Sequence, residues 1–320
     1  MSTKRTFFYT MLAAGLLASC TNDELADNPL ADGPVALSVT ADISQVVTRA
    51  TATAFENEDP IGIFPIKDTG TLDAEQANRL YTYNGSTFTG TKPYYFQDRG
   101  WVTFNAYYPY DADLTATAHT IDINTRAEYQ KIETIEGTAI EWRTNDYLFA
   151  SAMTNVIEPS VSYTDDNAFN HVMTQVVFVF NAGTDDGVSD LSALSGYKIA
   201  TPFVMDGSFD AATGEVTLDA DAKAEEIAMT VTGPAATELR ADPLILLPQA
   251  ISGSKLELEV TYNDQTYKAA LNAPTADLQA GYSYTYTVTI KNTELEVTNA
   301  SINAWHSDQY THSQGDATLQ

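Results

Sequence analysis

Cysteine is nearly absent: Cys20 is the single one in 320 residues. The chain therefore has no internal disulfide and no cysteine-rich metal site. Basic residues are scarce, 16 against 43 acidic, for a formal net charge of −27. Phosphate binding needs a basic surface, so this balance excludes nucleic acid as a partner. It also disfavours adsorption to anionic lipid. Histidine occurs four times, as His119, His171, His306 and His312. No HExxH, GxSxG, P-loop or GxGxxG pattern is present. The apolar run over residues 7–18, at about a dozen residues, is too short to cross a bilayer comfortably. Helical signals are also few: residues 73–80 read as one short helix and residues 191–194 as a turn of another. What is there is apolar enough to fold, with 44% hydrophobic residues, and long enough for one large domain or two of ordinary size.

The N-terminus reads as an address. Lys4 and Arg5 precede the apolar run, and Ser19 and Cys20 follow it. A charged start, an apolar middle and small residues at the cut are the layout of a secretory signal. Leu17-Ala18-Ser19-Cys20 resembles the lipobox of bacterial lipoproteins, in which the cysteine carries lipid and becomes the first mature residue. Residues 1–19 are thus expected to be a lipoprotein signal peptide. Residues 20–34 are expected to be a polar tether, with Pro29, Gly33 and Pro34.

The rest reads as strands. Val35, Leu37, Val39, Ala41 and Ile43 alternate with Ala36, Ser38, Thr40 and Asp42, so one face is apolar. We read this first strand as running over residues 35–47. The same period appears over 175–180, 255–262 and 282–290. Turns are marked by Asn84-Gly85, Asp206-Gly207, Thr213-Gly214 and Asn263-Asp264. Residues 209–216 read as strand, tight loop, strand. An all-β protein of sandwich or barrel type follows. The polar, turn-rich stretch 159–167 is the expected boundary, giving an N-terminal β-sandwich over 35–160, a C-terminal one over 165–305 and a polar tail over 306–320.

Candidates for chemistry are weak. His306-Ser307-Asp308 contains triad residue types, but triads assemble from separate segments. Asp165-Asp166-Asn167 and Asp185-Asp186-Gly187 carry oxygens that suit Ca²⁺, yet they lack EF-hand spacing and are ordinary turn chemistry. No pair of carboxylates is singled out for glycoside hydrolysis. His171, just before an apolar strand, is read as structural. Tyr94-Tyr95-Phe96 and Tyr107-Tyr108-Pro109-Tyr110 suit either a sugar-stacking platform or core packing, and packing is favoured because adjacent strand residues face opposite ways. The reading is therefore no enzyme and no cofactor. Arg49 has sharper content. It follows a complete strand, so a trypsin-like cut between Arg49 and Ala50 would free that strand and expose an apolar groove with unpaired backbone.

These features together resemble the Bacteroidales fimbrillin family, the type V pilins and their minor subunits. The residues that carry the likeness are Cys20, Thr48-Arg49-Ala50, Ile61-Gly62-Ile63-Phe64, Phe104-Asn105-Ala106-Tyr107-Tyr108-Pro109-Tyr110 and Asp146-Tyr147-Leu148-Phe149-Ala150. Further on come Phe169-Asn170-His171, Leu247-Pro248-Gln249, Ala280-Gly281-Tyr282-Ser283-Tyr284 and Ile302-Asn303-Ala304-Trp305. The resemblance implies two transthyretin-like Greek-key β-sandwich domains in tandem. It implies export as a lipoprotein to the outer membrane and cell surface. It also implies proteolysis after an arginine and replacement of the first strand by a neighbour's donor strand. The expected role is a structural or adhesive fimbrial subunit, with other fimbrial subunits and a host or bacterial surface ligand as partners. The alternative is a non-polymerising surface lipoprotein that binds glycan or another ligand. The candidate donor strand lies within 293–305. There Leu295 and Val297 alternate, as do Ile302 and Ala304, but the two pairs are out of phase.

Overall fold

The computed structural model describes residues 29–31, 33–43, 54–136, 138–251, 255–272 and 277–305. Among the described residues every regular element is a β-strand or a three-residue 3-10 turn. The molecule is all-β, as the period-two patterns predict.

One eight-stranded sheet is built from residues 38–171, so it reaches past the expected boundary to take in Asn170–His171. Its order is Ser160–Tyr163, Ser38–Ala41, Phe88–Thr89, Arg79–Tyr83, Pro60–Lys67, Val102–Tyr108, Leu148–Thr154 and Asn170–His171. One face encloses a core that includes Val39, Ile61, Tyr81, Phe104, Tyr163 and Phe169. Pro60–Lys67 is buried along nearly its whole length, because its other face is covered too. A Cβ on Gly62 would lie 2.1 Å from the Tyr107 ring, so glycine is what leaves room for that ring.

The second half forms two facing sheets. In one, Thr174–Ala182 pairs with Glu238–Arg240 and Leu244–Leu246 on one side and Tyr282–Ile290 on the other, and Leu295–Ala304 lies outermost. The other sheet runs Ala224–Thr230, Leu194–Val204, Lys255–Tyr262 and Gln265–Asn272. Both contribute to one core, including Phe178, Phe180, Ile199, Leu258, Tyr286 and Val288. This is sandwich packing. Thr174–Ala182 and Tyr282–Ile290 are parallel over eight paired residues. Parallel neighbours cannot be joined by a hairpin, so the chain makes a long excursion through the opposite sheet between them.

A further sheet, of three strands, binds the halves together. Thr120–Asn124 from the first half pairs with Asp206–Asp210, which pairs with Val216–Leu218. Its core draws on both halves, with Phe64, Tyr107, Tyr147, Phe209, Leu247 and Trp305.

Three expectations change. Residues 73–80 are a turn leading into Arg79–Tyr83, not a helix. Gln76 is pinned there by both ends of its amide to the Tyr95 backbone, at 2.7 and 2.8 Å, and Asn78 has φ +51°, which an α-helix cannot contain. Asp206-Gly207 opens a strand instead of a turn. A Cβ on Gly207 would meet Thr217 O and the Leu247 side chain, so this glycine serves close approach. The stretch 159–167 is only partly turn: Ser160–Tyr163 is a strand beside the first one, and a 3-10 turn, Asp165–Asn167, follows. At 191–194 the single turn is present, closed by Leu194 N donating to Leu191 O at 2.9 Å.

Candidate functional site

The first strand sits inside its sheet, not on its edge. Its regular part is Ser38–Ala41, extended by bridges at Ala36 and Ile43. Leu37, Val39, Ala41 and Ile43 are 4, 0, 9 and 4% exposed, so the alternation read from the sequence is the alternation into the core. On one side Ser38–Ala41 runs parallel to Ser160–Tyr163. Asp42 N donates to Tyr163 O at 2.8 Å, and Phe169 N donates to Asp42 O at 3.1 Å. On the other side Leu37 N donates to Tyr94 O at 2.9 Å and Phe96 N to Val35 O at 3.0 Å, with Val39 opposite Phe88. Burying four such side chains contributes about 10 kcal/mol before ordering costs. Residues 44–47 of the expected strand, and Arg49 and Ala50 beyond it, lie outside the described residues, as do Cys20, His306, Ser307, Asp308 and His312.

The candidate donor segment forms the outermost strand of its own sandwich. Leu295–Ala304 pairs antiparallel with Tyr282–Ile290. Its register shifts between Thr287 and Val288: Val297 faces Val288, whereas Asn299 faces Thr287. One extra residue is inserted there, as in a β-bulge. The bulge resets the alternation, so Leu295, Val297 and Ile302 all pack on one core. The phase break seen in the sequence is thus absorbed within a single strand. Ala304 faces Tyr282 in the ladder.

The chain then turns at Trp305, which is buried. Its N–H is taken by Gly281 O. Its indole lies flat on the imidazole of His171, whose Nδ1 is 2.6 Å from Asp146 Oδ1. His171 is structural, as expected, but its partners lie far away in sequence and were not foreseen.

The other candidates resolve as packing or turns. Tyr94 and Phe96 are buried while Tyr95 is 40% exposed; Tyr107 and Tyr108 are both buried. Tyr107 donates to Asn78 Oδ1 at 2.7 Å and Tyr108 to Asp59 Oδ1 at 3.1 Å. Burial pushes the Tyr81 and Tyr94 hydroxyls up to about 12, and it raises the Asp59 carboxyl despite hydrogen bonds from Glu56 N and Tyr108. No sugar platform is formed by these rings. Asp165–Asn167 and Thr184–Asp186 are 3-10 turns, and no cluster of three or more metal-ligating side chains occurs among the described residues. Ion pairs span the halves that the sequence reading separated. Arg126 holds Asp206 at 2.6 and 2.7 Å and also reaches Glu225. His119 Nδ1 meets Asp210 Oδ1 at 2.8 Å.

The model of the fimbrillin-like family matches residues 48–305. The chain belongs to that family. It is a structural protein and not an enzyme. This fimbrillin-like chain is 27% identical over 314 residues to a candidate fimbrium subunit, Fim1C, of Bacteroides uniformis, covering 92% of this chain and 93% of the relative. A candidate fimbrium tip subunit, Fim1C, of Bacteroides ovatus is 43% identical over 70 residues, 22% of this chain and 13% of that one. Among solved structures, a candidate cell adhesion protein from Bacteroides ovatus superposes with a TM-score of 0.67 at 27% identity, over 87% of this chain and 100% of that one. One from Bacteroides uniformis, at 22% identity, has the same fold with a TM-score of 0.63, over 86% of this chain and 98% of that one.

Proposed function

We propose that the chain is a structural and adhesive subunit of a surface fimbria, built as two transthyretin-like Greek-key sandwiches, expected over 35–160 and 165–305, the first also taking in the strand Asn170–His171. In this reading it is exported to the outer membrane as a lipoprotein through Cys20. It matures by a cut between Arg49 and Ala50 and receives another subunit's strand in the groove of its first strand. The observation that carries this is the seating of that strand. It is enclosed by paired backbone on both sides and fills the core through alternate residues, so its loss would leave a slot whose shape is that of one strand. Family membership and the similarity to fimbrium subunits support it.

The last strand favours a particular place in the fibre. Leu295–Ala304 is committed to its own sheet and Trp305 is fastened behind it. To donate this segment the subunit would have to dismantle its own sandwich. We therefore favour a tip or minor subunit that accepts a strand and does not donate this one. A host or bacterial surface ligand would then be engaged elsewhere on the chain.

N-terminal sequencing and intact mass of the protein from native cell surfaces test the reading. A mature N-terminus at Ala50 in SDS-stable assemblies is the expected result. A lipidated Cys20 with the first strand intact on a protein found outside any assembly would overturn it in favour of a non-polymerising, ligand-binding lipoprotein.

A further inference from the structure

The first strand and the end of the last one meet through a single short segment. Phe169 N donates to Asp42 O at 3.1 Å, and Phe169 bridges Ile43 in parallel. The Phe169 ring is fully buried in the first core, with its centroid 5.4 Å from that of Tyr163 in an edge contact. Two residues on, His171 lies beneath the indole of Trp305 and is held by Asp146. Two further on, Met173 O accepts from Gly281 N at 2.8 Å, and Gly281 O in turn takes the Trp305 N–H. Residues 169–171 are extended, so Phe169 and His171 share one side of the segment, about 7 Å apart along it.

Each end of this strap depends on a different end of the chain. At Phe169 the first strand supplies the acceptor for the N–H and part of the apolar surroundings of the ring. An emptied groove would leave that donor without its partner in the fold. It would also bare the ring on one side, and apolar surface exposed in this way is driven to close the gap. At His171 there is little tolerance for such a shift. Its ring and the indole stack with centroids 3.6 Å apart, and its Nδ1 lies 2.6 Å from Asp146 Oδ1. There is room for the movement, since Ile43, Leu148 and His171 line one cleft of about 360 Å³. A close-packed surround would hold the strap in place whatever happened to the first strand; this one does not.

We infer that seating of the first strand and fastening of Trp305 are coupled through residues 169–173, so that each stabilises the other. The C-terminal end of the last strand then registers whether the groove is filled. A chain with a strand in place keeps Trp305 stacked, and one with an empty groove lets it go. The coupling is a property of the uncleaved chain, so it stands or falls separately from the proposed cut and assembly. It is also reciprocal, as any coupling between two equilibria must be.

Hydrogen exchange of the full, uncleaved chain tests one direction, well below the melting temperature of every variant. In Trp305→Ala the amides of residues 37–42 should exchange about tenfold faster relative to those of Pro60–Lys67 in the same sheet, a factor usual for coupled sites. Ile199→Ala, which opens a hole in the second core, should show no such bias towards the first strand. Where Trp305→Ala does not fold, Trp305→Phe takes its place and should show the same bias more weakly. Fluorine NMR of the fluorotryptophan-labelled chain tests the other direction. The Trp305 resonance, assigned by its loss in Trp305→Phe, should shift or broaden in Ile43→Ala, while that of the half-exposed Trp101 stays in place. Equal acceleration of the two strands in the Trp305 variant, a first-strand bias in Ile199→Ala, or a Trp305 resonance indifferent to Ile43→Ala would each overturn the inference.

Discussion

Trp305 and His171 stack in parallel, with ring centroids 3.6 Å apart and planes 3° from parallel. Asp146 holds the imidazole from its edge at 2.6 Å. The end of the last strand is therefore fastened to residues that belong to the first sheet. Trp305→Ala should destabilise the protein by about 3–5 kcal/mol, the range for removing a large buried aromatic. Urea unfolding checks this, and Trp305→Phe should recover part of the loss.

The first strand makes a prediction about recovery as well as loss. Leu37→Ala should cost about 2–5 kcal/mol in chemical denaturation. In a preparation cut after Arg49 and stripped of the released fragment, a synthetic peptide of residues 35–43 should raise the melting temperature. A version with Val39→Asp should not, because it would place a charge at a fully buried position. Failure of the unmodified peptide to stabilise the cut protein would count against the groove as an acceptor.

Arg126 ties Asp206, in the three-stranded sheet, to Glu225, in the strand Ala224–Thr230 of another sheet. The guanidinium holds both carboxyls below the usual carboxylate range, and their charges raise its own affinity for a proton. A depressed carboxyl contributes stability that is full above its unfolded pKa and is lost as pH falls through the folded one. Wild type should therefore lose stability below about pH 4 in a step that Asp206→Asn weakens and that Asp206→Asn with Glu225→Gln lacks. The step should be small and should shrink with salt, since all three groups are partly solvated. Melting curves over a pH series check it.

Gly62 is a steric prediction. Its missing Cβ is the space that the Tyr107 ring fills, and that ring is fully buried. Gly62→Ala should destabilise by about 1–3 kcal/mol, and Gly62→Ala with Tyr107→Leu should recover part of it. Additive losses, measured in a double-mutant cycle, would mean the two sites do not share this space.

Local pattern carried much of the fold. Lys255–Tyr262 and Tyr282–Ile290 are strands over the residues expected, because alternation there is uninterrupted and each buries one face. Asn263-Asp264 turns between strands with both residues at positive φ, the conformation such pairs favour. What was illegible depends on distant partners. Residues 73–80 have helix-forming composition, but Gln76 is captured by Tyr95 and Asn78 by Asp111 and Leu114 backbone carbonyls. The bulge in the last strand looked like a break in phase because its correction comes from Tyr282–Ile290. The site was legible only in part. The buried face of the first strand could be read off, but its neighbours could not, since Tyr94, Tyr163 and Phe169 are brought beside it by pairings no local pattern reveals.

The neighbours of the first strand differ in direction. Ser160–Tyr163 runs with it, and Phe88 and the Tyr94 to Phe96 stretch run against it. A slanted ladder on one flank and a perpendicular one on the other can be satisfied together by a strand of one polarity alone. A substitute entering backwards would seat its side chains yet misalign its amides. The slot thus works as a one-way socket: in the proposed assembly a replacement strand would have to enter with the polarity of the strand it replaces.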